Sequence, residues 1–186
     1  MPASDNHMSL PFALETPLEH TIAADPQWSA GIAWGRPRAG HPEGRVVWHI
    51  REVLGNIDDY CAGAPDRARL RLIALTHDTF KYQAARGAPG RARPTHGWLA
   101  RQFAQRYIAD TGVLEVIELH DEAYKIWRAL QADCDLSAAE RRARGLLARL
   151  GAHQALYMAF YNCDCRSGDK SIRHYQWFEQ LARALR

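Results

Sequence analysis

The sequence predicts an all-α, single-domain helical bundle, and three observations carry that expectation. Apolar residues recur three and four positions apart through one stretch after another, the spacing of a helix face. No stretch alternates apolar and polar residues with the period of a strand. The length, 186 residues, is enough for one well-buried core and too short for two comfortable domains. Hydrophobic residues make up 47% and charged residues 24%, values of a globular chain that exclude disordered and fibrous classes.

Residues 1–15 read as a polar, poorly ordered tail, and 16–186 as the domain. Thr16 is placed to cap a short helix with Pro17 at its first position. "PQWSAGIAWGRPRAGHPEG" reads as a second short helix followed by a long Gly/Pro-punctuated loop. From Arg45 to about Tyr60, Val46, Val47, Ile50, Val53, Leu54 and Ile57 repeat at helical spacing. A further helix is expected over 66–84, then a Gly/Pro/Arg loop, "ARGAPGRARP", and a helix from His96 to about Ile108 capped by Thr95. "TGVLEVIELH", "DEAYKIWRALQ", "SAAERRARGLLARL", "HQALYMAFYNCDC" and "IRHYQWFEQLARAL" supply the remaining helices.

The formal charge of +3, with a pI near 8.8, suits an anionic small molecule and is too weak for a nucleic-acid binder. No apolar run approaches a membrane span, and the first residues lack the pattern of a signal peptide. Cys61, Cys134, Cys163 and Cys165 have no disulfide-framework spacing, so reduced thiols and a cytoplasmic location are expected. "CDC" at 163–165 does not make a thiol metal site. Successive helical residues point about 100° apart, so both thiols cannot join Asp164 around one ion.

The histidines narrow the chemistry. His49 shares a face with Val46, Val53 and Ile57, and His77 with Leu70, Ile73 and Ala74. His96 lies with Leu99 and Phe103, His120 with Val113, Val116 and Ile117, and Asp164 with Tyr157, Phe160 and Tyr161. Asp78 follows His77 to the same helix end. Five polar residues turned inward from five helices would destabilise a core if scattered, and are satisfied if gathered around metal ions. His7, His20, His41, His153 and His174 occupy loops, tails or less inward positions and are read as structural.

In order along the chain these residues form the series H…HD…H…H…D, and the series resembles the HD-domain metal-dependent phosphohydrolases. "GHPEGRVVWHI" is similar to that family's first helix, and "LRLIALTHDTFK" to its "LLHDIGK" signature. "RPTHGWLA", "VIELHDE" and "YNCDCRSG" are similar to its later segments. The likeness covers roughly residues 40–170. Phe80 stands where many members have glycine. "LHDE" without a following "GYP" disfavours the cyclic-di-GMP phosphodiesterase branch.

The resemblance implies a helical bundle of the HD-domain type that holds one or two divalent ions. His49, His77, Asp78 and Asp164 would hold one, and Asp78, His96 and His120 the other. Mixed imidazole and carboxylate ligands suit Mn, Fe, Co, Ni or Zn, with Mg also admitted. The implied activity is hydrolysis of a phosphate ester of a small molecule, a nucleotide or a related compound, by hydroxide that the metal activates; Asp78 and Lys81 would be the catalytic pair. Lys81 would meet the phosphate, and Arg86, Arg91 and Arg93 would form a basic lid beside His96. Asp121 and Glu122 follow His120 and are candidates for an added ligand or its partner. A regulatory module that binds metal and ligand without turnover is the alternative, and the oligomeric state stays open.

Overall fold

The computed structural model describes residues 9–84 and 94–185, whose regular elements are helices, with no named strand among them. The elements are α1 (Pro17–Ala23), α2 (Pro26–Ile32), α3 (Val46–Cys61), α4 (Arg67–Thr76), α5 (Lys81–Ala84), α6 (His96–Ala104), α7 (Thr111–Leu119), α8 (Glu122–Asp133), α9 (Leu136–Leu150), α10 (Gln154–Asp164) and α11 (Arg173–Ala184). No helix among the described residues is long and apolar enough to cross a membrane.

The helix starts follow capping chemistry. Thr16, Asp25, Thr95, Asp110 and Asp135 each accept a backbone N–H in the first turn of the helix they precede, and proline opens α1 and α2. The middle of the fold is α4, which packs against α3, α7 and α10. It contributes fully buried Leu70, Ile73, Ala74 and Leu75 to one continuous core with Ile50, Val53, Ile57, Val113, Ile117 and Phe160. Burial of such side chains stabilises by roughly 1.5–3 kcal/mol each. Helices α8, α9 and α11 pack on one another beside this core.

The helix expected over 66–84 is interrupted. It ends at Thr76, and residues 77–80 form a tight turn before the short α5. Side-chain hydroxyls help make the break: Thr76 Oγ1 donates to the Leu72 carbonyl and Thr79 Oγ1 to the Thr76 carbonyl. The apolar period does not register the turn, because Phe80 is itself buried against Phe103. From the other side α2 closes on the turn. Trp28 Nε1 donates to the Leu75 carbonyl at 2.7 Å, and a Cβ on Gly31 would lie 2.0 Å from the Thr79 carbonyl oxygen.

Of the expected tail, residues 1–8 lie outside the described residues. From 9 to 15 the chain runs along the bundle, with Leu10, Phe12 and Leu14 packed on the core. Buried Arg71 fixes this segment, donating to Glu19 at 2.9 Å and to the Ala13 carbonyl at 2.9 Å. The helix expected to reach Ile108 stops at Ala104. Arg86, Arg91 and Arg93, the expected basic lid, lie outside the described residues.

Candidate metal centre

Five helix ends converge on one point. His77 and Asp78 leave the C-terminus of α4, His120 leaves that of α7, and Asp164 ends α10; His96 opens α6, and His49 comes from the first turn of α3. His49, His77, Asp78 and His120 are almost fully buried, at 3% exposure or less. The five residues singled out by helical periodicity, and Asp78 beside His77, therefore meet.

Asp78 divides the cluster in two. Its Oδ2 lies 3.4 Å from His49 Nε2 and 3.6 Å from His77 Nε2, while its Oδ1 lies 3.4 Å from both His96 Nε2 and His120 Nε2. Asp164 Oδ1 joins the first group, 3.1 Å from His49 Nε2 and 4.0 Å from His77 Nε2. Asp121 joins the second, its carboxylate 3.2 Å from His96 Nε2 and 3.6 Å from His120 Nε2. Either group of three, His49–His77–Asp78 or Asp78–His96–His120, is compact enough to hold an ion.

The tautomers support a cation between these groups. His77 Nδ1 is 3.2 and 3.0 Å from the Ile73 and Ala74 carbonyls, and His120 Nδ1 is 2.8 Å from the Ile117 carbonyl. A carbonyl can only accept, so both Nδ1 atoms carry the proton and both Nε2 atoms turn a lone pair inward. His77 Nε2 then faces His49 Nε2 at 3.2 Å, and His120 Nε2 faces His96 Nε2 at 3.1 Å. Asp78 Oδ1, buried among them, has no hydrogen-bond partner. Lone pairs and a carboxylate turned on one point are the donor set of a divalent metal.

Ionisation follows the surroundings. Burial pushes His77 down to about 3. Burial would raise Asp78, but Lys81 and His77 outweigh it and hold the carboxyl well below the usual carboxylate range. Asp164 is likewise held low against its burial, by Lys170 and His49. Burial also opposes the charge on Lys81, yet Asp78 and Asp121 raise its pKa, and its ammonium bonds to Asp78 Oδ2. His96 is lowered by burial but raised more by the carboxylates of Asp121 and Asp78 beside it, reaching about 9.

In the metal-free protein these two histidines act with opposite signs. His77 refuses a proton that the unfolded chain binds between about 3 and 6.5, so stability falls as pH drops through that window. His96 keeps a proton that the unfolded chain releases between 6.5 and about 9, so stability falls as pH rises through that one. Thermal unfolding of the chelated protein should therefore be highest near the ordinary histidine value, about 6.5. His96→Gln should remove the alkaline decline.

The two groups depend on close helix contact. A Cβ on Gly97 would lie 2.4 Å from the Glu118 carbonyl oxygen, so α6 meets the α7 backbone directly and sets His96 beside His120. Gly97→Ala should push α6 away. Any ion that the second group holds should then be lost, and any ion at His49, His77 and Asp164 retained, as elemental analysis would read.

A cavity of about 330 Å³ opens over the cluster, lined by Asp78, His120, Asp121 and Asp164 on one side. Lys81 and Lys170 border it, with Lys170 Nζ 3.4 Å from Asp164 Oδ1. Its far wall is aromatic: Tyr124 and Trp127 lie nearly parallel, 6.0 Å apart, beside Tyr161, whose hydroxyl is 2.6 Å from His174 Nδ1. His41 completes the rim.

Sequence periodicity did not single out His41, His174 or Tyr124 for the site. His41 sits in a loop with no period, and Tyr124 and Trp127 have the spacing of core residues. For Asp121 there was a signal, its adjacency to His120. The cysteines behave as expected: Cys163 and Cys165 are buried, and Cys163 Sγ lies 3.9 Å from Cys61 Sγ rather than at the cluster. Comparison of the chain with protein-family models, with curated proteins and with solved structures finds no match.

Proposed function

We propose that this chain is a metal-dependent phosphohydrolase of the HD-domain type, acting on the phosphate ester of a nucleotide or a related small molecule. One observation carries the reading: the two oxygens of buried Asp78 face two separate sets of histidine nitrogens, at the floor of a cavity that also holds two ammonium groups. The H…HD…H…H…D order, and its resemblance to the HD family, supports the same conclusion.

His49, His77, Asp78 and Asp164 would hold one ion, and Asp78, His96, His120 and Asp121 the second. A bound divalent ion supplies a water of pKa about 7 and a positive charge for the phosphoryl oxygens. Asp78 suits the shared position because a carboxylate offers two oxygens where an imidazole offers one inward nitrogen. Lys81 and Lys170 bind the phosphate from the cavity rim, where their charge opposes that of the substrate. Tyr124 and Trp127 offer a flat apolar face for the remainder of the molecule, which favours a substrate carrying an aromatic ring.

A phosphate-release screen over nucleotides and sugar phosphates, with Mn, Fe, Co, Ni, Zn or Mg added in turn, tests the reading. Metal-dependent release from at least one ester is expected, and abolished by chelation. Tight binding of a phosphorylated ligand without release would point instead to a regulatory module of the same fold.

A further inference from the structure

The histidines of the cluster differ in what lies behind them. His77 and His120 each rest their outer nitrogen on backbone carbonyls of their own helix. His49 does not: its Nδ1 is buried and has no hydrogen-bond partner. The carboxylate beside it is that of Glu43, with Oε1 3.7 Å away. Glu43 is an unusual neighbour, because its side chain is only 3% exposed and its Oε2 is also buried without a partner. A buried carboxylate with an unused oxygen is costly unless something requires it.

We propose that Glu43 is the positioning residue of the first metal group, accepting the Nδ1 proton of His49 so that His49 presents a lone pair at Nε2. This rests on the metal-centre reading above, not on any particular substrate. Once Nε2 faces the Asp78–Asp164 side, the proton of a neutral imidazole sits on Nδ1, and the acceptor there is Glu43. The gap to the carboxylate exceeds a hydrogen bond by about 0.5 Å, a closure within reach of one side chain. The same proton rules out a third ion between His41, Glu43 and His49, although the three lie close enough to one another for one.

The loop before α3 holds the carboxylate in place. His41 Nδ1 lies 2.8 Å from Glu43 Oε1, and His41 is itself fixed by backbone bonds in both directions with Arg38, at 3.1 and 2.8 Å. Burial would raise Glu43, but the bond from His41 and the nearby imidazole of His49 keep it below its ordinary value. "GHPEGRVVWH" thus supplies a ligand, His49, together with the carboxylate behind it.

The test is Glu43→Gln, which keeps the volume and removes the charge. Titration of the chelated protein with Mn should show affinity at the first group falling about 10–100-fold, the range for loss of a partner behind a ligand. Nitrogen NMR of the metal-free protein should find His49 protonated at Nδ1 in the wild type and mixed between its two tautomers in Glu43→Ala, which has no acceptor there. Glu43→Ala should weaken Mn at least as much as Glu43→Gln, whereas His41→Gln should weaken it less, since it leaves the carboxylate in place. Unchanged Mn affinity in Glu43→Gln together with an unchanged His49 tautomer in Glu43→Ala would overturn the assignment. Failure of the wild type itself to bind any divalent ion would overturn the metal-centre reading and Glu43's role together.

Discussion

Asp78→Asn should empty both halves of the cluster while leaving the helices intact. The amide fills the same space, but it cannot give an anionic oxygen to each histidine group. It also leaves the Lys81 ammonium without its counter-charge and takes from His96 one of the two carboxylates that raise its pKa. Removing the bridge forfeits the several kcal/mol of charge stabilisation that bound ions provide, so turnover should fall by roughly 10³-fold or more. Elemental analysis should find no retained divalent metal, and circular dichroism should find the helical content of the wild type. Full metal content in Asp78→Asn would remove Asp78 from the ligand set.

Lys81→Met should separate binding of the metal from turnover. The Lys81 ammonium occupies Asp78 Oδ2, the oxygen that faces His49 and His77, and so it competes with a cation for the same charge. With the ammonium replaced by an apolar chain of similar length, the first ion should bind as tightly as in the wild type or more tightly. Turnover of a phosphate ester should nonetheless fall by about 10²–10³-fold, the usual cost of removing one donor to developing charge. Equal turnover in Lys81→Met and wild type would make Lys81 only the counter-ion of Asp78. Weaker metal binding would show that it shapes the site rather than the substrate.

Much of this was legible in the sequence because a helix repeats its face. His49, His77, His120 and Asp164 each stand three, four or seven residues from apolar neighbours that are buried, so their direction follows from helical geometry. His96, at the first position of α6, was placed by the same spacing and by the Thr95 cap. The sequence set His77 and Asp78 at a helix end yet carried the helix on to about 84, since Phe80 continues the apolar period through the turn at 77–80. Glu43 and His41 lie on a loop, where position depends on turns and packing rather than on any repeat. Tyr124 and Trp127 have the spacing of core residues, yet both line the cavity, with the His174 ring of α11 against them.

The metal-centre assignment depends on whether divalent ions occupy the centre of the bundle. Crystals of the wild-type protein grown with excess Mn, and measured at the Mn absorption edge, answer this without reference to a substrate. Two anomalous peaks are expected about 3.5–4 Å apart, the usual separation of two-ion phosphoryl sites. One should lie among His49, His77, Asp78 and Asp164, the other among Asp78, His96, His120 and Asp121. A map with no peak in either position, and with the histidine nitrogens paired to carboxylates or water instead, would contradict it.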